Sequence, residues 1–364
     1  MDPRILDRLR CPVCGEALAE ATAGTARALR CPRRHSFDIA RQGYVNLLTG
    51  RAPHVGDTFD MVAARADFQA AGHYDVISAA LAAAATDAVS RLGATDAPYP
   101  APAPPTLCSA PAEATVSPPS RRLGGCRAKD PTPQVRGEPP PPDVEPPPPD
   151  VEPPPPDVEP PPPDVEPPAP DFGAYPLVVD AGAGTGRYLG AVLAALPDAV
   201  GLALDVSKPA LRRAARAHPR AAAALADTWQ RLPLADASTT VLLNVFAPRN
   251  GPEFHRVLDP AGTLLVVTPD TDHLAELVDT LNLLRVDPDK ADRVAASLGG
   301  HFTLVSSAVH RAGLALTRQE VATVVGMGPS AWHTDAAALT TRLAALPEPV
   351  RVTVAVRLDV LRPR

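Results

Sequence analysis

Long apolar runs and cysteines are both scarce in this sequence. No apolar stretch approaches the length of about 20 residues that a membrane-spanning helix needs, and the charged segment at residues 1–10 lacks a signal-peptide core. Five cysteines are present, and three of them fall within 21 residues. Without an export signal, such a cluster indicates metal ligation rather than disulfides. We therefore expect a cytoplasmic protein with no membrane partner.

Lysine is also nearly missing, since only Lys129, Lys208 and Lys290 are lysines among the 35 basic residues. Arginine suits phosphate and base-edge contacts, but GC-rich coding produces the same bias. The formal net charge of −6 is uneven as well: residues 96–172 hold 13 acidic and 5 basic residues, which leaves 28 acidic and 30 basic residues elsewhere. Charge therefore argues neither for nor against a nucleic-acid partner.

Proline is abundant in one segment, which holds 29 of the 47 prolines between residues 96 and 172. Four copies of Glu-Pro-Pro-Pro-Pro-Asp-Val run from Glu138 to Val165. Proline runs adopt extended polyproline II and cannot bury a core. The sequence therefore predicts a disordered acidic insertion at 96–172, between a metal-binding module with its linking helices (1–50 and 51–95) and a folded domain (173–364).

The clustered cysteines have the spacing of a metal site. Cys11-Pro-Val-Cys14 is followed by Cys31-Pro-Arg-Arg-His35, so that two tight turns each present two ligands. Three thiolates and one imidazole complete the tetrahedral shell that structural zinc prefers. Four protein ligands leave no open position, so we predict a structural zinc on Cys11, Cys14, Cys31 and His35.

A second motif begins at Leu177, where an apolar run ends in Asp180 and glycines follow at Gly182, Gly184 and Gly186. A buried parallel strand has such a run, and the glycines permit a tight turn and close approach of a ligand. A purely structural turn would use the same residues. Asp205 closes the next predicted strand about 20 residues later, where an acid suits two ribose hydroxyls.

Both motifs resemble known families. Asp-x-Gly-x-Gly-x-Gly is similar to the first motif of class I S-adenosylmethionine-dependent methyltransferases. The segment from Cys11 through His35 to Ser36-Phe-Asp-Ile-Ala-Arg-Gln-Gly-Tyr-Val-Asn-Leu-Leu48 resembles the start of the large-subunit (23S) ribosomal RNA guanine-N1 methyltransferases. Some members of that family protect ribosomes from macrolides such as tylosin. The resemblance covers residues 7–95 and 175–364.

This resemblance implies an enzyme that transfers methyl from S-adenosylmethionine to N1 of a guanine in a hairpin loop of large-subunit ribosomal RNA. It implies cofactor contacts at Tyr74, in Ala-Gly-His-Tyr, and at His273, in Thr-Pro-Asp-Thr-Asp-His-Leu. The remaining expected cofactor residues are Asp180, Gly182, Gly184, Thr185, Gly186 and Asp205. Tyr74 could instead be a core aromatic, and Asp227, after the third strand, could face the adenine or be an ordinary loop residue.

The downstream segments alternate strand and helix, which predicts a class I methyltransferase doubly wound sheet of the α/β class. Strands are expected at 199–205, 221–226, 240–246, 264–268, 302–309 and 350–361, the last pair forming an antiparallel hairpin. Helices are expected at 56–71 and 75–92, hinged at Gly72, and at 208–217. For the target base the best candidate stretch is Asn244–Arg249; no residue is identified as the general base.

Two other functions are open at this level. One is a small-molecule methyltransferase with a structural zinc module, and the other is a non-catalytic ribosome-binding protein with a degenerate methyltransferase domain. Five arginines, at positions 27, 30, 33, 34 and 41, surround the second pair of zinc ligands and could meet phosphates. Either a monomer or a homodimer is compatible with the sequence.

Overall fold

The structure is a computed structural model that describes residues 1–23, 26–50, 56–94, 175–281, 283–287, 289–328 and 336–364. The predicted insertion at 96–172 lies outside these residues. The described helices are α1 (Pro3–Leu6), α2 (Phe59–Ala70), α3 (Asp75–Ala94), α4 (Arg187–Ala195), α5 (Lys208–Ala214), α6 (Gly251–Val257), α7 (Ala275–Leu281), α8 (Lys290–Leu298), α9 (Arg318–Gly326) and α10 (Ala336–Ala344). The described strands are β1 (Ala19–Ala23), β2 (Ala26–Arg30), β3 (Ser36–Asp38), β4 (Tyr44–Asn46), β5 (Leu177–Ala181), β6 (Val200–Asp205), β7 (Ala221–Leu225), β8 (Thr239–Val245), β9 (Leu258–Pro269), β10 (Phe302–Leu316) and β11 (Val350–Pro363).

An eight-stranded sheet in the order β10-β11-β9-β8-β5-β6-β7-β4 forms the main layer. Its strands are parallel from β9 across to β4, whereas β11 pairs antiparallel with β9 and β10 antiparallel with β11. All five residues of β5 are buried, because helices or the N-terminal module cover both faces of the central strands. This is the predicted class I methyltransferase sheet, and its strand order reverses at β5.

The N-terminal segment packs on one face of this sheet. Strands β1, β2 and β3 form a small antiparallel sheet. Apolar side chains from this segment, including Ile5, Leu9 and Leu29, share a buried cluster with Leu177 and Leu202 of the central strands. The next strand, β4, is not part of the small sheet; it pairs with β7 and forms the edge of the large sheet. The sequence did not predict this strand.

Helices α2 and α3 cover the opposite face, where Phe68, Ile77 and Leu81 pack with Val178 and other strand residues. The Thr58 hydroxyl caps α2 by accepting the Met61 amide at 3.2 Å. Gly72, at φ +83°, turns the chain between the two helices. The predicted hinge at this glycine is confirmed, although α2 begins three residues later than the predicted Gly56.

The closing hairpin is longer than predicted. Strand β10 continues from the expected end at 309 to Leu316, because it stays paired with β11 along its whole length. Helix α5 ends at Ala214 rather than at 217. Helices α7 to α10 were also not predicted from the sequence. Among the described residues, no helix is both long and apolar enough to cross a membrane.

Candidate active site and metal centre

The four predicted metal ligands lie together at the N-terminal module. All four candidate ligand atoms of Cys11, Cys14, Cys31 and His35 fall within 4.8 Å of one another. The Cys14 and Cys31 sulfurs are 3.6 Å apart, and the His35 Nδ1 is 3.3 Å from the Cys31 Sγ. Tetrahedral zinc with Zn–S bonds of about 2.3 Å spaces its sulfurs about 3.8 Å apart. The donor set and its spacing therefore fit zinc.

Local turns build this cluster. The Gly15 amide donates to the Cys11 carbonyl at 2.8 Å, and the Arg34 amide donates to the Cys31 carbonyl at 2.9 Å. Gly15 and Arg34 both have positive φ, +77° and 66°, which folds each pair of ligands toward one point. Cys11 and Cys31 are buried against the apolar face of the large sheet. The metal is therefore structural: its four protein ligands leave no position for a substrate.

The glycine loop follows β5, and Gly182, Gly184 and Gly186 all have left-handed φ, of +85°, +53° and +78°. A Cβ on Gly182 would lie 2.3 Å from the Cβ of Ala247, and one on Gly186 would lie 2.8 Å from the Cα of Ala214. Both the turn and the close packing therefore require glycine. The Gly182 and Ala183 amides donate to the Leu204 carbonyl, which joins the loop to β6.

Asp205 lies at the end of β6 and holds this loop from the other side. Its Oδ2 accepts the Gly184 amide at 2.8 Å, and its Oδ1 accepts the Ser207 amide at 2.7 Å. Burial raises the pKa of this carboxyl, although the two amide hydrogen bonds lower it in part. Each oxygen keeps a lone pair for one further hydrogen bond. The carboxylate can therefore accept hydrogen bonds from two vicinal hydroxyls.

A cavity of about 830 Å³ opens beside the loop, at the carboxyl ends of the parallel strands. It is lined by predicted residues Tyr74, Gly182, Gly184, Thr185, Asp205 and His273. Gly186 does not line it; this glycine packs on α5 instead. The volume is ample for a nucleoside-sized cofactor with a second planar ligand.

Asp180 also lies outside the cavity wall. Its side chain is fully buried, and neither carboxylate oxygen accepts a hydrogen bond from a described residue within the usual distance. Burial, with the nearby Asp205 charge, raises the pKa of Asp180 to about 8. Asp180 therefore lies beneath the loop and is not among the residues that line the cavity.

Helix α2 adds residues to the cavity that the sequence did not reveal. The Arg65 guanidinium pairs with Asp57, and its Nη2 donates to the Met327 carbonyl at 2.8 Å. The Gln69 Oε1 accepts the Thr185 hydroxyl at 2.6 Å. The Gln69 contact ties the glycine loop to α2, and the Arg65 contact ties α2 to the segment after α9. Both join residues more than 100 positions apart, which spacing alone does not disclose.

Tyr74 and His273 meet at the far wall. The His273 Nδ1 accepts the Ala355 amide at 3.2 Å, so the neutral ring carries its proton on Nε2, which lies 3.4 Å from the Tyr74 hydroxyl. Burial raises the pKa of Tyr74 well above its ordinary value. Tyr74 is thus a core aromatic that also lines the cavity, and its contact with the cofactor stays a prediction.

The residues after β7 and β8 complete the wall. Asp227 is buried and lines the cavity; its Oδ1 accepts the Trp229 amide, whereas its Oδ2 accepts no hydrogen bond from a described residue. An amino group entering beside β7 would satisfy that oxygen. Asn244 is fully buried, and its amide donates to the carbonyls of Ala181 and Pro248. These two bonds fix the loop after β8, and Asn244 itself is not part of the cavity lining.

The donors and acceptors of this cavity fit S-adenosylmethionine. The Gly182 turn lets the backbone approach closely, Asp205 offers paired acceptors, and Asp227 has a buried oxygen that no described residue contacts by a hydrogen bond. The cavity therefore has the groups that S-adenosylmethionine requires, and the metal cluster has the ligands that a structural zinc requires.

Comparison with known proteins agrees with this assignment. Residues 9–51 match the zinc-ribbon family described as "RlmA, N-terminal". A protein of Micromonospora griseorubida, named as a 23S rRNA (guanine-N1) methyltransferase, is 57% identical over 364 residues, covering 100% of both chains. The 23S rRNA (guanine(748)-N1)-methyltransferase of Streptomyces fradiae is 40% identical over 363 residues, covering 100% of this chain and 99% of that one.

Among solved structures, an S-adenosylmethionine-dependent methyltransferase from Geobacter sulfurreducens, in complex with S-adenosyl-L-homocysteine, is 16% identical. It covers 52% of this chain and 86% of its own, with a TM-score of 0.33. The two full-length relatives carry the assignment. With its zinc ligands, its sheet and its cavity in place, the chain belongs to the family of 23S rRNA (guanine-N1) methyltransferases.

Proposed function

We propose that this protein transfers a methyl group from S-adenosylmethionine to N1 of a guanine in a hairpin loop of 23S ribosomal RNA. The observation that carries this proposal is similarity along the full length to relatives named for that reaction, zinc module included. The cavity supports it, because it lies where parallel sheets bind ligands and its wall includes the Asp227 Oδ2, which accepts no hydrogen bond from a described residue.

We assign cofactor binding to the residues that line the wall. Asp205 would accept the ribose hydroxyls, Asp227 would accept the adenine amino group, and the Gly182–Gly184 turn would let the backbone contact the amino-acid end. Asp180 would support this turn from beneath rather than touch the cofactor. When bound, S-adenosylmethionine supplies an activated methyl on a sulfonium, so the protein's main task is alignment within about 3–3.5 Å.

The reaction also requires that the guanine N1 proton leave and that charge on O6 be stabilised. His273 is not suited to accept a proton at Nε2, because the Ala355 amide fixes that proton there in the neutral ring. It is instead a hydrogen-bond donor at the cavity wall, next to the Tyr74 hydroxyl. We therefore assign His273 a donor and positioning role.

The RNA contact is assigned to the arginines of the zinc module. The side chains of Arg27, Arg30, Arg33, Arg34 and Arg41 are all exposed. Arg27 and Arg33 form ion pairs with Glu20 and Glu16, but exposed pairs are worth only about 0–1 kcal/mol and exchange readily for phosphate. The zinc cluster would hold these guanidinium groups at fixed positions.

Primer extension on 23S rRNA tests the function in cells. A methyl on guanine N1 blocks Watson–Crick pairing, so reverse transcriptase should stop beside one hairpin guanine when the gene is present and pass it when the gene is deleted. Restoring the gene should restore the stop, and the same strains report whether macrolide susceptibility changes. Identical extension products in all strains would refute the proposal.

A further inference from the structure

Phe246, the first residue after β8, combines two features that are unfavourable for an aromatic side chain. Its φ is +54°, in the left-handed region that bulky residues avoid. Its side chain is also 41% exposed, although 45% of the chain is hydrophobic and the central strands beside it are buried. Such a residue persists only where its surroundings fix it.

The surroundings of Phe246 do fix it. Its amide donates to the Val267 carbonyl at 3.1 Å, and the Asn244 side chain donates to the Pro248 carbonyl at 2.8 Å. Between them, Ala247 packs so closely on Gly182 that a Cβ at that glycine would lie 2.3 Å from the Ala247 Cβ. The Phe246 backbone is therefore clamped to the glycine loop and keeps a fixed position relative to the cofactor site.

The Phe246 ring lies on the cavity wall beside two other rings. Its centroid is 6.3 Å from that of Tyr74 and 6.0 Å from that of His273. Tyr74 is only 6% exposed, so Phe246 presents the accessible aromatic surface of this group. A planar ligand could stack there while its edge faces the hydrogen-bonding atoms of the other two side chains.

The strand order indicates which planar ligand this is. Asp205 and Asp227 follow β6 and β7, on one side of β5, and they account for the ribose and adenine of the cofactor. Phe246 follows β8, on the other side of β5. A planar ligand that stacks on Phe246 would therefore be a second one, distinct from the adenine. The proposed reaction supplies such a ligand, namely the target base. A base in a stacked hairpin must be splayed out, and aromatic side chains receive such bases.

We propose that Phe246 is the platform on which the target guanine stacks during methyl transfer. This inference rests on the proposed function. It assigns Phe246 to the RNA base and not to the cofactor, and it explains why a strained, exposed aromatic side chain occupies the cavity wall.

The test measures single-turnover methyl transfer to a 23S rRNA fragment at saturating S-adenosylmethionine. Phe246→Ala should slow transfer about 5- to 150-fold, the range of one base–aromatic stack of about 1–3 kcal/mol. Phe246→Tyr and Phe246→Trp should stay within about threefold of the parent because they keep a stacking face. Phe246→Leu keeps apolar volume without a π face, so it should resemble the alanine variant.

Two controls separate stacking from a structural role. Calorimetry should give S-adenosylmethionine affinity within about twofold of the parent for every variant, because no cofactor contact is removed. Phe59→Ala, at an even more exposed phenylalanine outside the cavity wall, should behave as the parent.

The inference is overturned if Phe246→Ala transfers methyl at the parent rate, if leucine substitutes as well as tyrosine, or if the alanine variant loses cofactor affinity. A parent protein that methylates no guanine would overturn the proposed function and this inference together. That failure is recognisable because it appears before any substitution is made.

Discussion

The metal cluster and the cofactor cavity differ in how completely the chain satisfies its own polar groups. The four zinc ligands converge on one point and are closed to any further ligand. Within the described part of the chain, the cavity retains a buried Asp227 oxygen without a hydrogen-bond partner, an accessible aromatic ring at Phe246 and lone pairs on Asp205. A site whose ligands all come from the protein stabilises structure, whereas a site with unused polar groups binds ligands reversibly.

The two sites also differ in how far along the chain their residues are spread. The zinc ligands span residues 11–35, while the cavity gathers side chains from α2, the glycine loop, the ends of β6 to β9 and the segment after α9. Damage to the first should therefore act on stability, and damage to the second on ligand binding.

The largest effect is expected from the zinc ligands. Cys14→Ser should release zinc and unfold the N-terminal module, because apparent zinc-binding energies of about 10–16 kcal/mol are coupled to folding in small zinc domains. The apolar side chains that this module packs on the sheet, such as Leu29, would then be exposed. Metal analysis and thermal unfolding measure both effects.

Cys126→Ser, outside the cluster, is the matched control and should retain one zinc per chain. A Cys14→Ser variant that keeps stoichiometric zinc and parental stability would show that the cluster is not the structural site.

Asp180 should make stability depend on pH. Its folded pKa, raised to about 8, exceeds the unfolded value of about 3.9. The folded state therefore keeps a proton that the unfolded chain releases, and stability falls as pH rises between those values, by at most about 1.4 kcal/mol per unit. Asp180→Asn should lack this part of the slope in urea unfolding at pH 5, 6 and 7 without cofactor.

The exposed Asp198→Asn is the control and should keep the parental slope. Equal slopes for the parent and Asp180→Asn would mean that Asp180 is ionised in the folded protein.

Asp205→Ala should weaken S-adenosylmethionine binding by about 1–3 kcal/mol, the cost of leaving buried polar partners unpaired. Calorimetry measures this loss, and zinc content should not change because the two sites share no ligand. If this variant binds S-adenosylmethionine with the parental affinity, Asp205 is not part of the cofactor site. If it loses zinc, the two sites are not independent.

The smallest effect is expected for replacing Arg33 and Arg34 together by Ala. RNA binding should weaken, and the slope of log affinity against log salt should fall by about 1–2, since each lost phosphate contact removes roughly 0.7–0.9. Replacing the exposed pair Arg212 and Arg213 removes the same charge from α5, which is not part of the zinc module. If both pairs change the slope equally, the arginines near the zinc act only through net charge.

The same contrast explains which parts of the structure could be predicted from the sequence. The zinc ligands and the order of strands were predictable, because C-x2-C with C-x3-H and buried apolar runs are local patterns. The cavity was predictable only in part. Arg65, Gln69 and Met327 join the cavity wall through tertiary packing. Phe246 lies in the stretch expected at the target base, but its positive φ and its exposed ring are features of the structure that no local pattern indicates.

Two further features depended on three-dimensional placement. Asp180 was expected among the cofactor residues because it ends a strand at the ligand-binding edge, whereas its side chain is fully buried and is not part of the cavity lining. Strand β4 was missed because its three residues are too short for a periodic signal, although pairing with β7 makes them part of the main sheet.

The central claim is that the open cavity delivers a methyl group to guanine N1 of 23S rRNA. The most direct test incubates the purified protein with unmodified 23S rRNA and isotopically labelled S-adenosylmethionine, digests the RNA to nucleosides and identifies the labelled product by mass spectrometry. We expect the label in 1-methylguanosine, about one per rRNA molecule, with Asp205→Ala slower at limiting cofactor. Label in any other nucleoside, or none in RNA while a small molecule is methylated, would contradict the account.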